Sequence, residues 1–181
     1  MSTLTVQNIQ GSSSSSNTIN VASGHKISGA AGSITYPGCI IQSLYQEITA
    51  IFSTSSTSLV ATGFSIAITP KFANSVIRST LLLNGISANA SQSALRVEMM
   101  RDGSSIAYLD DISGYGHDIG AAGGMNQSAC YSYHDSPNTT SSVTYSYSCH
   151  RQGGSGVMNW NNYVSGNNRT RSTMILEEIA Q

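Results

Sequence analysis

Charged residues are scarce in this chain of 181 residues: they make up 9% of it, and the formal net charge is −1. An average soluble domain has roughly 25%. Without a basic stripe the chain has no electrostatic means of holding nucleic acid, so we expect no nucleic-acid partner. Disordered chains lack the valine, isoleucine, leucine and tyrosine that are ample here. This composition favours β-structure with uncharged polar outer faces.

Long apolar runs are absent as well. No stretch of 18 apolar residues occurs, so we expect no membrane insertion. The opening MSTLTVQNIQ lacks the basic and hydrophobic regions of a signal peptide. We therefore expect the protein to be made in a cytoplasm. The odd number of cysteines (Cys39, Cys130 and Cys149) favours buried free thiols over a disulfide scaffold, although Cys130 and Cys149 could lie on neighbouring strands.

Motifs of the common catalytic and metal sites are missing. The sequence has no CxxC, HxxxH or GxSxG spacing, and GYGHDIGAAGG (114–124) lacks the GK[ST] ending of a phosphate-binding loop. We expect no metal, no cofactor and no enzymatic activity. A polysaccharide-degrading enzyme is the alternative, and it requires two carboxylates, such as Asp118 and Asp135, to converge in a cleft. The adjacent Glu177 and Glu178 are expected to be solvated or paired with arginine.

Candidate strands follow each other closely from Pro37 onward, with turn residues between them. Apolar alternation predicts strands at 39–52, 58–63, 64–70, 75–86, 94–111, 128–135, 142–152, 156–164 and 172–180. Segment 94–111 predicts a hairpin around Arg101–Ser104, although 92–102 could be helical by propensity. The turn Ser136–Thr139 predicts a second hairpin. Many strands with almost no helical pattern predict an antiparallel β-sandwich.

Aromatic residues supply the candidates for ligand contact. Tyr131, Tyr133, Tyr145 and Tyr147 recur at period 2, which predicts either cross-strand packing or a wet aromatic surface for a sugar or protein partner. Trp160 lies among asparagines, where it could stack on a sugar ring or anchor its loop to the core. Both alternatives remain open at this point.

The first 36 residues differ from the rest. Two short β-like pieces flank the serine run 12–16, and each is too short to bury its apolar residues alone. Such pieces become stable beside copies of themselves, which predicts an oligomer with a stem at 1–36 and a head at 37–181. The stem residues expected to associate are Leu4, Val6, Ile9, Ile19, Val21 and Ile27.

The segments MSTLTVQNIQ and NTINVASGHKI, joined by the serine-rich turn, resemble the N-terminal signature of phage tail-fibre and virion structural proteins. The body is similar to a β-sandwich module of marine and cyanobacterial phage proteins, in SLVATGFSIAITPKFANSVI, YHDSPNTTSSVTYSY and STMILEEIA. The resemblance implies a jelly-roll-like antiparallel β-sandwich head, homotrimeric as in C1q or tumour necrosis factor, on a short N-terminal β stem. It also implies no enzymatic activity and no cofactor.

The resemblance further implies a virion component, either a short fibre or a capsid decoration protein, whose partners are its own copies and capsid or tail proteins. An adhesin tip that binds a host surface glycan is the alternative within this class, ahead of a polysaccharide-degrading tail enzyme or a secreted lectin. The residues proposed for glycan contact are Tyr115, His117, Trp160 and Tyr163.

Overall fold

The structure, a computed structural model, describes residues 22–24, 35–88, 93–113, 127–161 and 170–181. The chain divides into two units, Met1–Ile34 and Thr35–Gln181. The six predicted stem residues, Leu4, Val6, Ile9, Ile19, Val21 and Ile27, lie outside the described residues. The association of residues 1–36 as a stem therefore stays a prediction.

Strands make up the regular structure of the larger unit, and its described residues include no helix. The strands are β1 (Ile40–Ile48), β2 (Phe52–Thr54), β3 (Val60–Ile68), β4 (Val76–Ala88), β5 (Ala94–Arg101), β6 (Ser104–Ser113), β7 (Gln127–Asp135), β8 (Val143–Gln152), β9 (Met158–Trp160) and β10 (Ser172–Ile179). Valine, isoleucine, leucine and tyrosine at alternate positions suit a pleated surface with one buried face, which explains why these segments are extended.

Two antiparallel sheets share these strands. The first sheet has the order β1-β10-β4-β7, and the far end of β4 also pairs with β9, which pairs with β2. The second sheet has the order β3-β8-β5-β6. The eight long strands thus follow the order of a jelly roll, a sandwich built from two Greek keys. The predicted antiparallel β-sandwich is confirmed.

The core lies between the two sheets and draws on both inner faces. It contains Phe64, Ile68, Ile77, Leu81, Leu83, Ile86, Leu95, Val97, Met99, Val143, Tyr145, Tyr147, Cys149, Met158, Trp160, Met174 and Leu176. Ser79 on β4 and the Tyr147 hydroxyl on β8 form a hydrogen bond of 2.6 Å across this core. Each hydroxyl is buried and satisfies the other, so the bond joins the sheets without leaving an unpaired polar group.

The predicted hairpin at 94–111 is confirmed as β5 and β6. Its two turn residues, Asp102 and Gly103, have φ angles of 48° and 82°. Positive φ at both positions defines a type I′ turn, whose twist matches that of antiparallel strands and which favours Asp-Gly. The turn is tied to β8, because Asp102 N–H donates to the Thr144 carbonyl (2.9 Å) and Asp102 Oδ1 accepts from Thr144 N–H (2.8 Å).

Three strand predictions are wrong. Of the predicted strand 156–164, β9 covers Met158–Trp160, and Asn161, with a φ of 55°, no longer belongs to it. The segment 39–52 is not one strand, because β1 ends at Ile48 and a separate strand, β2, which pairs with β9 rather than β10, starts at Phe52. The predicted strands 58–63 and 64–70 are a single strand, β3, with an irregularity between Ala61 and Ser65. Gly63 has a φ of 88° there, so glycine creates a bulge inside the strand rather than its end.

The predicted second hairpin is also wrong. β7 pairs with β4 in the first sheet, whereas β8 pairs with β3 and β5 in the second. Residues 136–142 therefore cross from one sheet to the other. Alternation of side chains indicates which face of a strand is buried and does not identify the neighbouring strand, so the tyrosines of β7 and β8 lie in different sheets.

Candidate functional site

The sandwich has two distinct ends. At one end, called the root end, lie Ile40, Ile179 and Val76 of the first sheet, together with the 69–75 and 136–142 connections. At the other, called the loop end, lie Ile48 and Ser172, which pair with each other, and the ends of β6 and β8. The chain enters the larger unit at the root end, at Thr35, and its last residue, Gln181, is there too.

The root end carries a cleft of about 270 Å³, lined by Tyr36, Phe72, Asn74 and Gln181 among others. Backbone bonds from Gly38 N–H to the Ala180 carbonyl (2.8 Å) and from Ala180 N–H to the Cys39 carbonyl (3.0 Å) fix its wall. Tyr36 is 66% exposed and Phe72 is 40% exposed. The cleft therefore presents two aromatic side chains where the chain enters the sandwich.

A buried carboxylate supports this cleft. Glu178 is fully buried and its two oxygens accept hydrogen bonds from Lys71 N–H (2.7 Å), Phe72 N–H (3.2 Å), the Ser75 hydroxyl (2.7 Å) and the Gln42 amide (2.6 Å). Three of the four donors belong to the 69–75 connection. Glu178 therefore clamps that connection to β10 and positions Phe72. We call this group the Glu178 clamp.

Glu177 behaves as the sequence predicts and Glu178 does not. Glu177 pairs with Arg78 at 2.6 Å on the outer face of the first sheet. Neighbouring residues of a strand point to opposite faces, so Glu178 must point inward, toward the core. The alternation of Met174 and Leu176 with Glu178 was the available signal for its burial.

A second polar cluster closes the root end on the other side of the sandwich. Arg101 Nη1 donates to both oxygens of Asp135, at 3.0 and 2.9 Å, and the Tyr145 hydroxyl donates to Oδ2 at 2.6 Å. The hydrogen bond to Asp135 raises the pKa of Arg101. Burial, and then the bond to Asp135, raise the pKa of Tyr145. The cluster joins β7 to β5 and β8, so it holds the two sheets together.

Asp135 was one of the two carboxylates that the enzyme alternative requires. Its carboxylate is occupied by Arg101 and Tyr145, and the other one, Asp118, lies outside the described residues. Within the described residues, His, Cys, Asp and Glu form no group of three that could hold a metal ion.

At the loop end, Asn161 connects three strands. Its side-chain amide donates to the carbonyls of Ile48 (2.8 Å) and Ala50 (3.0 Å), and its Oδ1 accepts from the Ser172 hydroxyl at 2.7 Å. Its backbone N–H donates to the Asn84 carbonyl at 2.8 Å. Asn161 has a φ of 55°, a conformation that asparagine tolerates better than most residues. Asn161 therefore fixes the path of the chain as β9 ends.

Arg151 organises two neighbouring connections of the loop end. Its Nε donates to the Ser55 carbonyl at 3.2 Å, and its Nη1 donates to the carbonyls of Gly153 and Gly154. Its backbone N–H bonds to the Ser56 carbonyl at 2.7 Å. One guanidinium thus holds the 55–59 and 153–157 connections together, using its fixed fork of donors.

Trp160, proposed for glycan contact, is in the core. Its side chain has no exposed surface, and its ring stacks on Phe52 with centroids 3.7 Å apart and planes 8° from parallel. A ring covered in this way cannot stack on a sugar, so the alternative in which Trp160 anchors its loop describes its position. Burial of its large apolar ring is the physical reason.

The tyrosines at period 2 do not form a wet surface. Tyr145 and Tyr147 are buried in the core, and Tyr131 and Tyr133 are partly buried against it. Packing between the sheets accounts for all four rings.

The other residues proposed for glycan contact, Tyr115, His117 and Tyr163, lie outside the described residues. The connections that contain them can still be placed by their ends. Residues 114–126 join β6 to β7, and residues 161–171 join β9 to β10. Ser113 pairs with Ala94, and Gln127 pairs with Ile86, both at the loop end. Both connections therefore start and finish at the loop end.

The outer face of the first sheet carries apolar residues that the sequence did not single out. Tyr45 is 77% exposed, Ile40 51% and Leu82 39%. Tyr45 pairs with Ile175 on β10, and Leu82 lies between Thr173 and Cys130. The run IIQSLYQEI has large apolar residues on both faces of β1, and this double alternation was the signal for an exposed apolar face.

The three cysteines are free, as predicted, but only Cys149 is buried, while Cys39 is partly exposed and Cys130 is exposed. Burial raises the pKa of the Cys149 thiol to about 12. Cys130 is on β7 in the first sheet and Cys149 on β8 in the second, so the two are not on neighbouring strands.

No family model matches the sequence, and no curated protein matches it either. Among solved structures, the chain is similar to dimeric latent PorU from Porphyromonas gingivalis, with a TM-score of 0.44, 9% identity, and coverage of 84% of this chain and 14% of that one. It is also similar to the T=1 particle derived from infectious bursal virus, with a TM-score of 0.42, 10% identity, and coverage of 87% and 41%. For the VP2 subviral particle of infectious bursal disease virus the values are 0.37, 14%, 87% and 42%.

The chain thus spans less than half the length of each of these structures. Among the residues that the structure describes, no helix is long and apolar enough to cross a membrane.

Proposed function

We propose that the protein is a non-enzymatic structural component of a bacteriophage virion, a homotrimeric short fibre or capsid decoration protein. The N-terminal residues attach it to the particle, and the sandwich is exposed. One observation carries this proposal: the two ends of the sandwich differ, because the chain enters beside an aromatic cleft at the root end, whereas both long connections start and finish at the loop end. Such a difference suits a module fixed at one end and presented at the other.

The polar clusters of the sandwich support a structural role. The Glu178 clamp and the Arg101–Asp135–Tyr145 cluster use their charged groups to hold connections and sheets together, with every partner inside the chain. A reactive group requires a free coordination or proton-transfer position facing a substrate. Both carboxylates are instead occupied by donors that fix the root end, as a rigid head requires.

Epitope insertion at the two ends tests this proposal on intact particles. One variant carries a short epitope between Gly154 and Ser155 at the loop end, and a matched variant carries it between Asn138 and Thr139 at the root end. All four residues are exposed or partly exposed in connections, where insertions are tolerated. We expect antibody to bind the loop-end epitope on purified virions and to bind the root-end epitope much less, while both are equally accessible in free protein.

Absence of the protein from purified virions would contradict the virion role. Equal access to both epitopes on virions would contradict attachment through the root end. A monomer in light scattering or mass photometry at micromolar concentration would contradict the homotrimer.

Binding of a host surface glycan through the loop end is a second candidate, favoured because both long connections begin and end there. Purified protein carrying Tyr115→Ala, His117→Ala and Tyr163→Ala should bind host cells less than the natural sequence does. Tyr108→Ala is the matched control, since Tyr108 is a tyrosine that is 68% exposed on β6 and does not belong to either connection. Undiminished binding by the triple variant would contradict this role. Deletion of the protein separates the two candidates: lost adsorption with intact particles indicates an adhesin, and fragile particles indicate decoration.

A further inference from the structure

Hydrogen bonds fix the backbone that carries both aromatic rings of the root-end cleft. The segment Tyr36–Cys39 forms a type II turn, because Cys39 N–H donates to the Tyr36 carbonyl at 3.0 Å and Gly38, its third residue, has a φ of 86°. Phe72 N–H donates to Glu178 Oε1 at 3.2 Å as part of the Glu178 clamp. The cleft therefore exists before a partner binds, and binding orders little of the backbone.

The cleft fits one side chain of a partner rather than a whole small molecule. Its volume is about 270 Å³, whereas sites that enclose a drug-sized ligand have about 300–1,000 Å³. Tyr36 is 66% exposed beside it and Phe72 is 40% exposed. A large apolar side chain in the cleft would bury part of both rings, and buried aromatic surface is a common source of binding hot spots.

The lining of the cleft has no charged side chain among the described residues. Besides the two aromatic rings, it consists of Thr35, Pro37, Asn74, Ala180 and Gln181. A charged side chain entering the cleft would lose hydration without meeting an opposite charge from the lining. The side-chain amides of Asn74 and Gln181 can instead form hydrogen bonds with a peptide backbone. The chemistry of the cleft therefore suits an uncharged peptide segment that carries one large apolar residue.

The position of the cleft indicates which protein supplies this segment. Thr35 is the first residue of the larger unit, and it lines the cleft. In the proposed function, the residues before Thr35 attach the protein to the particle. A capsid or tail protein held by those residues is tethered close to the cleft, and a short tether gives an effective concentration on the order of a millimolar. Even a weak contact with that protein is then occupied.

We propose that the root-end cleft takes up one large apolar side chain from an uncharged segment of the capsid or tail protein to which the N-terminal residues attach. The proposal rests on attachment through the root end in the proposed function, and it names the part of the partner that contacts the sandwich. Attachment then has two parts, the N-terminal residues and the contact with Tyr36 and Phe72. The second part fixes the orientation of the sandwich on the particle.

Photo-crosslinking on intact virions identifies the occupant of the cleft. The photoreactive residue p-benzoylphenylalanine replaces Tyr36 in the full-length chain, and a matched variant carries it in place of Tyr108, which is 68% exposed on β6. Mass spectrometry of the cross-linked peptides should show position 36, and not position 108, joined to an uncharged segment of a capsid or tail protein. A cross-link from position 36 to a charged segment or to another copy of this chain, or no cross-link there, would overturn the proposal.

The rate at which the protein leaves diluted virions measures the strength of the contact. Tyr36→Ala removes the ring, and we expect it to raise this rate at least about 30-fold, the effect of losing a hot-spot residue. Tyr36→Phe keeps the ring and Tyr108→Ala is the control, so both should leave as slowly as the natural protein. Thermal unfolding shows whether Tyr36→Ala is folded, which we expect because that side chain is 66% exposed.

The results separate failure of this contact from failure of the proposed function. If the natural protein is absent from purified virions, the virion role itself fails. If the protein is present and its root-end epitope is shielded, but Tyr36→Ala leaves the particle at the natural rate, attachment through the root end stands and the cleft contact is refuted.

Discussion

Replacement of Glu178 probes the root end most directly. Its carboxylate is fully buried and accepts four hydrogen bonds, three of them from the 69–75 connection. Glu178→Ala removes every acceptor at once. Glu178→Gln keeps the shape and one oxygen, so it retains several of these bonds without the negative charge.

The expected loss of unfolding free energy depends on whether each donor finds another partner once the carboxylate is removed. A hydrogen bond to a charged group contributes about 1.5–3 kcal/mol. The sum for four such bonds is therefore the upper limit of the loss in unfolding free energy. Lys71 and Phe72 are exposed and can bond to water, whereas Ser75 is 1% exposed and cannot. We therefore expect Glu178→Ala to lower the free energy of unfolding by about 3–4 kcal/mol, and Glu178→Gln by about 1–2 kcal/mol.

Equilibrium urea denaturation of the full-length protein, at one fixed protein concentration, measures both changes. Glu47→Gln is the matched control: it removes an exposed ion pair with Arg171 and should cost less than about 1 kcal/mol. If Glu178→Ala costs no more than Glu47→Gln, the carboxylate does not clamp the connection, and the account of the root end is wrong.

Two further predictions concern the core. Ser79→Ala and Tyr147→Phe should each lower the free energy of unfolding by about 1–3 kcal/mol, because each leaves the other hydroxyl buried without its 2.6 Å partner. In urea denaturation the double variant should lose clearly less than the sum of the two single losses. Strict additivity would contradict the hydrogen bond. Burial raises the pKa of Tyr147 and of Cys149 to about 12 each, so their neutral forms stabilise the folded state fully below pH 9 and this stabilisation is lost as pH rises toward 12. Tyr147→Phe should therefore lessen the fall in unfolding free energy between pH 10 and 12. Cys149 should resist iodoacetamide at pH 9 until urea unfolds the protein. Rapid labelling of Cys149 in the native state would count against its burial.

Local features of the fold were predictable where neighbouring residues decide them. Asp102-Gly103 specifies its own turn, because both residues must adopt positive φ. The alternation in STMILEEIA predicts β10, and the expectation that its carboxylates are solvated or paired with arginine holds for Glu177. These signals act within a few residues, so they do not depend on the rest of the chain.

Features that depend on distant residues were not predictable in this way. β7 and β8 pair with other strands in different sheets. The alternation of their apolar residues would be the same if the two strands paired with each other. Glu178 is buried because a connection about 100 residues earlier in the chain supplies its donors. Trp160 is covered by Phe52, a contact between two short strands that no local pattern marks.

The position of β10 has a consequence for how the chain acquires its structure. In the first sheet β10 lies between β1 and β4, yet it is synthesised after all the other described strands of the sandwich. Until residues 172–179 emerge, no strand connects β1 to β4. β1 therefore stays without its partner β10 while more than 120 residues are synthesised. Closure of the sandwich is thus coupled to the synthesis of β10, and a nascent chain exposes the unpaired edges of β1 and β4 until then.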